Sequence, residues 1–201
     1  MKRLIIIPTA IFLILCLCSC NNTKYYLDGY EITKEEIEYF KTSLKTEVIN
    51  YFSERYTITD YGTFWTDSFD EITPSEYLEK LAFSEAEKAK AELIIMQQYE
   101  IYDDISYSSF KNMAEQYNEE HSGQTGTVGL LSIDMSSFYS YYISDGRLEC
   151  INIIAAEEAF TSEKISDYRT RNKLPEEMSD ELVKEKIAEE KYNEMVAEIL
   201  N

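Results

Sequence analysis

One histidine, four cysteines and 38 carboxylates are the side chains of this 201-residue chain with the most chemistry to offer. A single His excludes any His-pair metal site and leaves little acid-base chemistry poised near neutral pH. His121, in Glu119-Glu120-His121-Ser122-Gly123, falls at the end of a helical pattern, where an imidazole meets the negative end of the helix dipole. No nucleophile elbow surrounds Ser122, so a capping role is expected. Cys150 lies between Leu148 and Ile151 on a helical pattern with acids nearby, conditions that do not lower a thiol pKa, and it reads as a buried structural Cys. Asp67, Asp70 and Glu71, like Asp103 and Asp104, lack the ligand spacing and Gly of a calcium loop and read as solvated acidic turns. The remaining Glu residues suit helix surfaces and helix starts better than paired catalytic carboxylates. The expectation is a protein with no catalytic residue, no metal and no cofactor.

The charge balance narrows the partners. With 19 Lys and Arg against 38 acids, the formal charge is -19. Affinity for a phosphate backbone comes from bases that release counterions, so nucleic acid is excluded. At 44% hydrophobic and 28% charged residues, with 6 Gly and 3 Pro, the composition is that of a folded domain with a core.

The N-terminus reads as an export and anchoring signal. Lys2 and Arg3 precede Leu4 to Ile7, Pro8 and the apolar run Ala10 to Leu17. The run is short for a membrane span and contains Pro8. It ends in Leu17-Cys18-Ser19-Cys20, which resembles a bacterial lipobox, with Cys18 at the middle position a less usual choice. That resemblance implies cleavage after residue 19 and a diacylglyceryl thioether on Cys20. Removing residues 1 to 19 takes away Lys2 and Arg3 and no acid, leaving 17 bases against 38 acids, a formal -21. So acidic a chain is repelled by anionic headgroups, and an acyl anchor must hold it at the membrane. Cys150 is then the one unmodified Cys, without a partner for an intrachain disulfide.

Beyond Cys20 the elements are helices. Tyr25 to Ile32 turns at Asp28-Gly29, predicting a small extended segment. Thr33 with Glu36 forms a capping-box pair, and Ile37, Phe40, Leu44, Val48, Tyr51 and Phe52 follow at helical spacing, predicting a helix over 34–54. Residues 55–72 form a loop pinned by Phe64, Trp65 and Phe69. Thr73-Pro74-Ser75-Glu76 opens a long helix to about Tyr99, which predicts an elongated molecule. Ser106 caps a third helix. A fourth starts after Asp134, weakened in the middle by Gly146. A short one covers Ser162 to Arg171, and Ser179 caps a last one with Ala188, Tyr192, Met195 and Ile199 on one face. No run alternates with period two, so little sheet is expected.

Tyr and Phe, 17 and 9 of them, are the richest apolar resource. Tyr offers flat apolar area with a wet end, suited to a groove that takes apolar segments. Tyr51, Phe64, Trp65, Phe138, Tyr141 and Tyr142 are the candidate client-binding residues; for each, the core is the competing place. Neighbours such as Tyr141 and Tyr142 cannot both face inward on one helix.

Leu27-Asp28-Gly29-Tyr30-Glu31-Ile32-Thr33-Lys34-Glu35-Glu36 resembles the opening of the N-terminal domain of SurA- and PrsA-type export chaperones. The resemblance extends through Thr73-Pro74 and its helix, Tyr102 to Tyr107, Phe138 to Tyr142, Ile165 to Tyr168 and Glu185 to Tyr192. It implies an all-α, elongated domain over 33–201 whose C-terminal helix returns to pack on the N-terminal helices. Ahead of it lie a lipoprotein signal peptide at 1–19 and a lipidated tether with a short extended segment at 20–32. The family usually inserts a parvulin prolyl-isomerase domain before the last helix. Here only Arg169 to Met178 fill that place, and the family's paired His residues are missing. The implied function is an extracytoplasmic, lipid-anchored chaperone that holds unfolded or exported polypeptides without catalysis. The alternative is an adaptor or structural lipoprotein for one dedicated protein partner.

Overall fold

The computed structural model describes residues 24–121 and 132–201; the lipobox and Cys20 lie outside them. A hairpin comes first: β1 (Tyr25–Leu27) pairs antiparallel with β2 (Tyr30–Ile32), with Leu27 opposite Tyr30 and Tyr25 opposite Ile32. Asp28 and Gly29 both have positive φ, 47° and 84°, as a two-residue hairpin turn matching the strand twist requires. Six helices follow: α1 (Lys34–Arg55), α2 (Pro74–Gln98), α3 (Tyr107–His121), α4 (Met135–Glu157), α5 (Ser162–Asn172) and α6 (Asp180–Leu200). The all-α expectation holds, with the hairpin as the one small sheet among the described residues.

Side-chain caps fix most of the helix starts. Thr33 and Thr73 each accept a hydrogen bond from the backbone N–H three residues on, while Glu36 and Glu76 reach back to the cap N–H. Asp134, Thr161 and Ser179 cap α4, α5 and α6 in the same way. Two of the helix ends use a left-handed residue that is not Gly. Glu100 and Lys173 have φ of 59° and 53°, and the following N–H of Ile101 or Leu174 returns to the carbonyl of Met96 or Arg169.

α2 is the axis of the molecule. Its first half pairs antiparallel with α1, and its second half is enclosed by α4 and α6, with α3 packed on α4 and α5 on α6. Ala89 to Met96 are buried without interruption, so two turns of α2 have no solvent face. Around them sit Phe110, Tyr139, Ile143, Cys150, Ile154, Ala188, Tyr192 and Val196. The last helix returns principally onto α2 and α4. Its inner face is Val183, Ile187, Ala188, Tyr192 and Val196, whereas Met195 and Ile199, expected on that face, are half-buried at its edge.

Gly146 does not interrupt α4. A methyl group there would lie 2.7 Å from the Met96 sulfur and 3.0 Å from the Tyr102 ring, so the missing side chain lets α4 close on α2.

The far end of the α1–α2 hairpin has its own core. Val48, Phe52, Phe64 and Leu78 are buried there, with Trp65, Phe69 and Tyr77 packed around them. The connecting loop folds back through a tight turn in which Phe69 and Ile72 exchange backbone hydrogen bonds of 2.9 and 3.1 Å. Its central residues, Asp70 and Glu71, have φ of 48° and 69°. Asp tolerates that region, and Asp70 also accepts a hydrogen bond from the Tyr56 hydroxyl. Glu71 has no such compensation, and a non-Gly residue there costs about 1–2 kcal/mol. Glu71→Gly is therefore expected to stabilise the fold by roughly 1 kcal/mol, after the added freedom of the unfolded chain is offset. Urea unfolding checks it; an unchanged or lower midpoint would show that the turn is not strained.

Candidate functional site

The six candidate aromatics do not form one groove. Tyr51, Phe64 and Trp65 belong to the tip of the α1–α2 hairpin, and Phe138, Tyr141 and Tyr142 to the first turns of α4. Tyr39 meets Tyr139 edge to face at 5.6 Å, and Tyr51 lies about 18 Å further along α1 at 1.5 Å per residue. Two candidates must be corrected. Phe64 and Phe138 are 1% and 2% exposed, so they are core residues and present no surface to a client. Phe64 is enclosed by the rings of Phe52, Trp65 and Phe69. Phe138 stacks on Tyr142 at 4.3 Å and meets Tyr117 on another side. Tyr51 is half-buried but sandwiched between the Tyr77 ring at 4.6 Å and the Arg55 guanidinium at 3.8 Å. That leaves Trp65 and Tyr142, both half-buried, and Tyr141, which is 58% exposed. Tyr141 and Tyr142 do point different ways, as two neighbours on one helix must.

The polar centre of the molecule is a buried network that the sequence reading missed. Lys90 and Glu36 are both 1% exposed and paired at 2.8 Å. One Glu36 oxygen, Oε1, also accepts from the Tyr139 hydroxyl at 2.7 Å, while Oε2 accepts the capping bonds from the Thr33 N–H and hydroxyl at 2.7 and 3.0 Å. Lys90 donates further to the Ile105 carbonyl at 3.4 Å. Burial, followed by the Glu36 charge, raises the Tyr139 phenol far above its ordinary pKa, so it stays a donor. Glu36 was legible as a capping residue, but its other oxygen ties α1 to α2 and α4. No local signal marked Lys90: it is inward because Ala89 to Met96 are buried on all sides, which leaves Lys90 and Glu92 no outward direction. Glu92 is likewise buried and held by Arg147 on α4 through bonds of 2.6 to 3.0 Å. Nearby, the Tyr192 hydroxyl is fully buried and makes no hydrogen bond.

Cys150 lies where it was expected, fully buried. Burial, then Glu149 and Glu92, pushes its thiol up to about 12, the opposite of activation. His121 is the last residue of α3, with Nδ1 2.7 Å from the Tyr117 carbonyl and its ring stacked on Tyr117 at 4.1 Å. The acidic turns are taken up locally: Asp67 accepts from Thr63, Asp70 from Tyr56 and Asp104 from the Ser106 N–H. Among the described residues no three His, Cys, Asp or Glu side chains converge as metal ligands.

A carboxylate at the end of α4 joins three helices. Glu158 binds Lys164 of α5 at 2.7 Å and Lys191 of α6 at 2.6 Å. The hydrogen bonds from Lys164 and Lys191 hold its carboxyl down to about 2, from an ordinary value of 4.5. Its folded pKa is depressed, so the stabilisation is present above pH 4.5 and is lost as pH falls towards 2. Glu158→Gln is expected to lower stability at pH 7 and to narrow the gap in urea midpoint between pH 7 and pH 3. An unchanged gap would mean that solvent screening removes the effect.

A cleft of about 440 Å³ lies above Lys90, between β2 with the first turn of α1 on one side and the start of α3 on the other. Gln97 spans its end, accepting from the Tyr30 hydroxyl at 2.6 Å and donating to the Asp103 carbonyl at 2.6 Å. Fold and sites together define an all-α scaffold with a buried polar centre, a cleft above Lys90 and scattered surface aromatics. Comparison with family models, curated proteins and solved structures gave no match. The export-chaperone resemblance thus rests on the residues quoted for it.

Proposed function

We propose that this is an extracytoplasmic, lipid-anchored protein that transiently holds unfolded or exported polypeptides and performs no catalysis. The observation that carries the reading is the distribution of exposed aromatics. Tyr26 on the hairpin, Tyr61 at the α1–α2 tip and Tyr141 on α4 are 57%, 65% and 58% exposed, on separate parts of a strongly anionic helical scaffold. Separate flat contacts of this kind suit weak, multipoint binding of an extended chain, because each Tyr offers apolar area at little entropic cost. Mutual repulsion between acidic surfaces keeps the holder itself dispersed.

The test is suppression of aggregation. Residues 21–201 are added to two unrelated unfolding proteins and light scattering is followed at physiological salt. Suppression near equimolar ratio for both, weakened by Tyr61→Ser with Tyr141→Ser, is the expected result. Failure with both would displace general holding in favour of the adaptor with one dedicated partner, sought by crosslinking in cells.

A further inference from the structure

The hairpin stands where the anchor meets the fold. On the lipoprotein reading Cys20 carries the acyl chains, and Tyr25, the first residue of β1, follows five positions later. Fully stretched, five residues reach about 18 Å, so the root of the hairpin is never far from the lipid headgroups. The headgroup layer is itself about 5–7 Å deep on each side of a bilayer, which takes up part of that distance.

What stands at the root is aromatic. Tyr25 and Tyr26 are 38% and 57% exposed, the only adjacent pair of exposed large apolar side chains among the described residues. The inner face of the hairpin is turned to α2: Ile32 is buried, Tyr25 meets the Phe83 ring at 4.8 Å, and the Tyr30 hydroxyl donates to Gln97. Tyr26 and Glu31, the alternate residues, sit opposite each other on the outer face. Lys24 joins them, pairing with Glu31 at 3.1 Å. After residue 19 the chain has 17 bases against 38 acids, yet this face carries one base and one acid, paired. The repulsion that holds the acidic body away from an anionic leaflet is therefore not generated here. Tyr suits such a boundary, because its ring sits at headgroup level while its hydroxyl stays in water.

We propose that the outer face of this hairpin rests on the lipid surface, with the Tyr26 ring among the headgroups and Tyr25 at their edge, so that the anchored molecule keeps one face toward the membrane. The proposal rests on the lipoprotein reading. The acyl chains supply the attachment and the hairpin supplies the orientation, since so small an apolar patch does not hold an acidic domain at a bilayer by itself. A client chain would have to enter the gap under the tether to reach the same ring. Tyr26 is then given to lipid on the anchored molecule, and Tyr61 and Tyr141 are left for polypeptides.

The experiment uses the full-length lipidated chain, its mass verified, in phosphatidylcholine vesicles whose acyl chains are brominated next to the headgroup. Tyr26→Trp and, separately, Leu148→Trp are made in a Trp65→Phe background, so that each protein has one indole; both positions are more than half exposed. The Tyr26→Trp protein is expected to lose about half or more of its emission relative to unbrominated vesicles, with a shift to the blue. The Leu148→Trp protein should change little, and Tyr26→Trp combined with Cys20→Ala should not be quenched when vesicles are added. Quenching at position 26 no greater than at position 148 would overturn the proposal. So would an indole at 26 that ignores brominated lipid but responds to an added unfolded protein, which would return the hairpin to polypeptide holding. A mass without the diacylglyceryl group would remove the lipoprotein reading and this proposal together, whereas a lipidated protein that fails the quenching test loses only the hairpin contact.

Discussion

Lys90→Met should destabilise the protein by about 3–5 kcal/mol, a large share of the roughly 5–15 kcal/mol that holds a domain folded. The side chain is nearly isosteric, so the loss is electrostatic: the Glu36 carboxylate stays 1% exposed with its counter-charge gone. Tyr139 and Thr33 still donate to it, which limits the damage but supplies no positive charge. Glu36→Gln should cost a comparable amount, because it strands the Lys90 ammonium and weakens the cap of α1. The double variant removes both charges and should be less damaged than the sum of the singles, with a coupling of about 2 kcal/mol. Urea unfolding of the four proteins reads this directly. Additive losses, or Lys90→Met within about 1 kcal/mol of the parent, would mean that the pair is solvated and does not organise the centre.

The helix starts were legible because their signals are local. Thr33 with Glu36, Thr73 with Pro74 and Glu76, Asp134 and Ser179 each place a cap within a few residues of the groups it satisfies, and the structure begins its helices there. The Asp28-Gly29 turn carried its own conformational requirement in the same way. The ends of α2 and α5 fall within one residue of where the pattern stops, at Gln98 and Asn172, although Glu100 and Lys173 adopt the left-handed conformation there without Gly. The polar centre was not legible in this way. Glu36 and Lys90 are far apart in sequence, and Lys90 and Glu92 in α2 look like ordinary solvated charges until the helices packed around them are known. The aromatics were ambiguous in principle. Phe64 and Phe138 differ from Trp65 and Tyr141 by one or three positions, and only the packing partner decides which ring of such a set is core.

The distribution of charge makes the anchor the other decisive feature. With 17 bases against 38 acids after residue 19, the folded domain is repelled by an anionic leaflet, and no described helix is long and apolar enough to cross a bilayer. Membrane attachment, on the proposed reading, therefore has one source: the acyl chains on Cys20. Each buried methylene contributes about 0.8 kcal/mol, one chain binds only marginally, and two hold stably. Cys20→Ala removes the attachment atom while leaving the fold, which begins beyond the tether, unaltered. Its expected effect is all-or-none, with the protein released from the membrane fraction and its mass lower by the diacylglyceryl group. The thermal midpoint of the released domain should match that of the parent. Unchanged fractionation with unchanged mass would remove the lipoprotein reading.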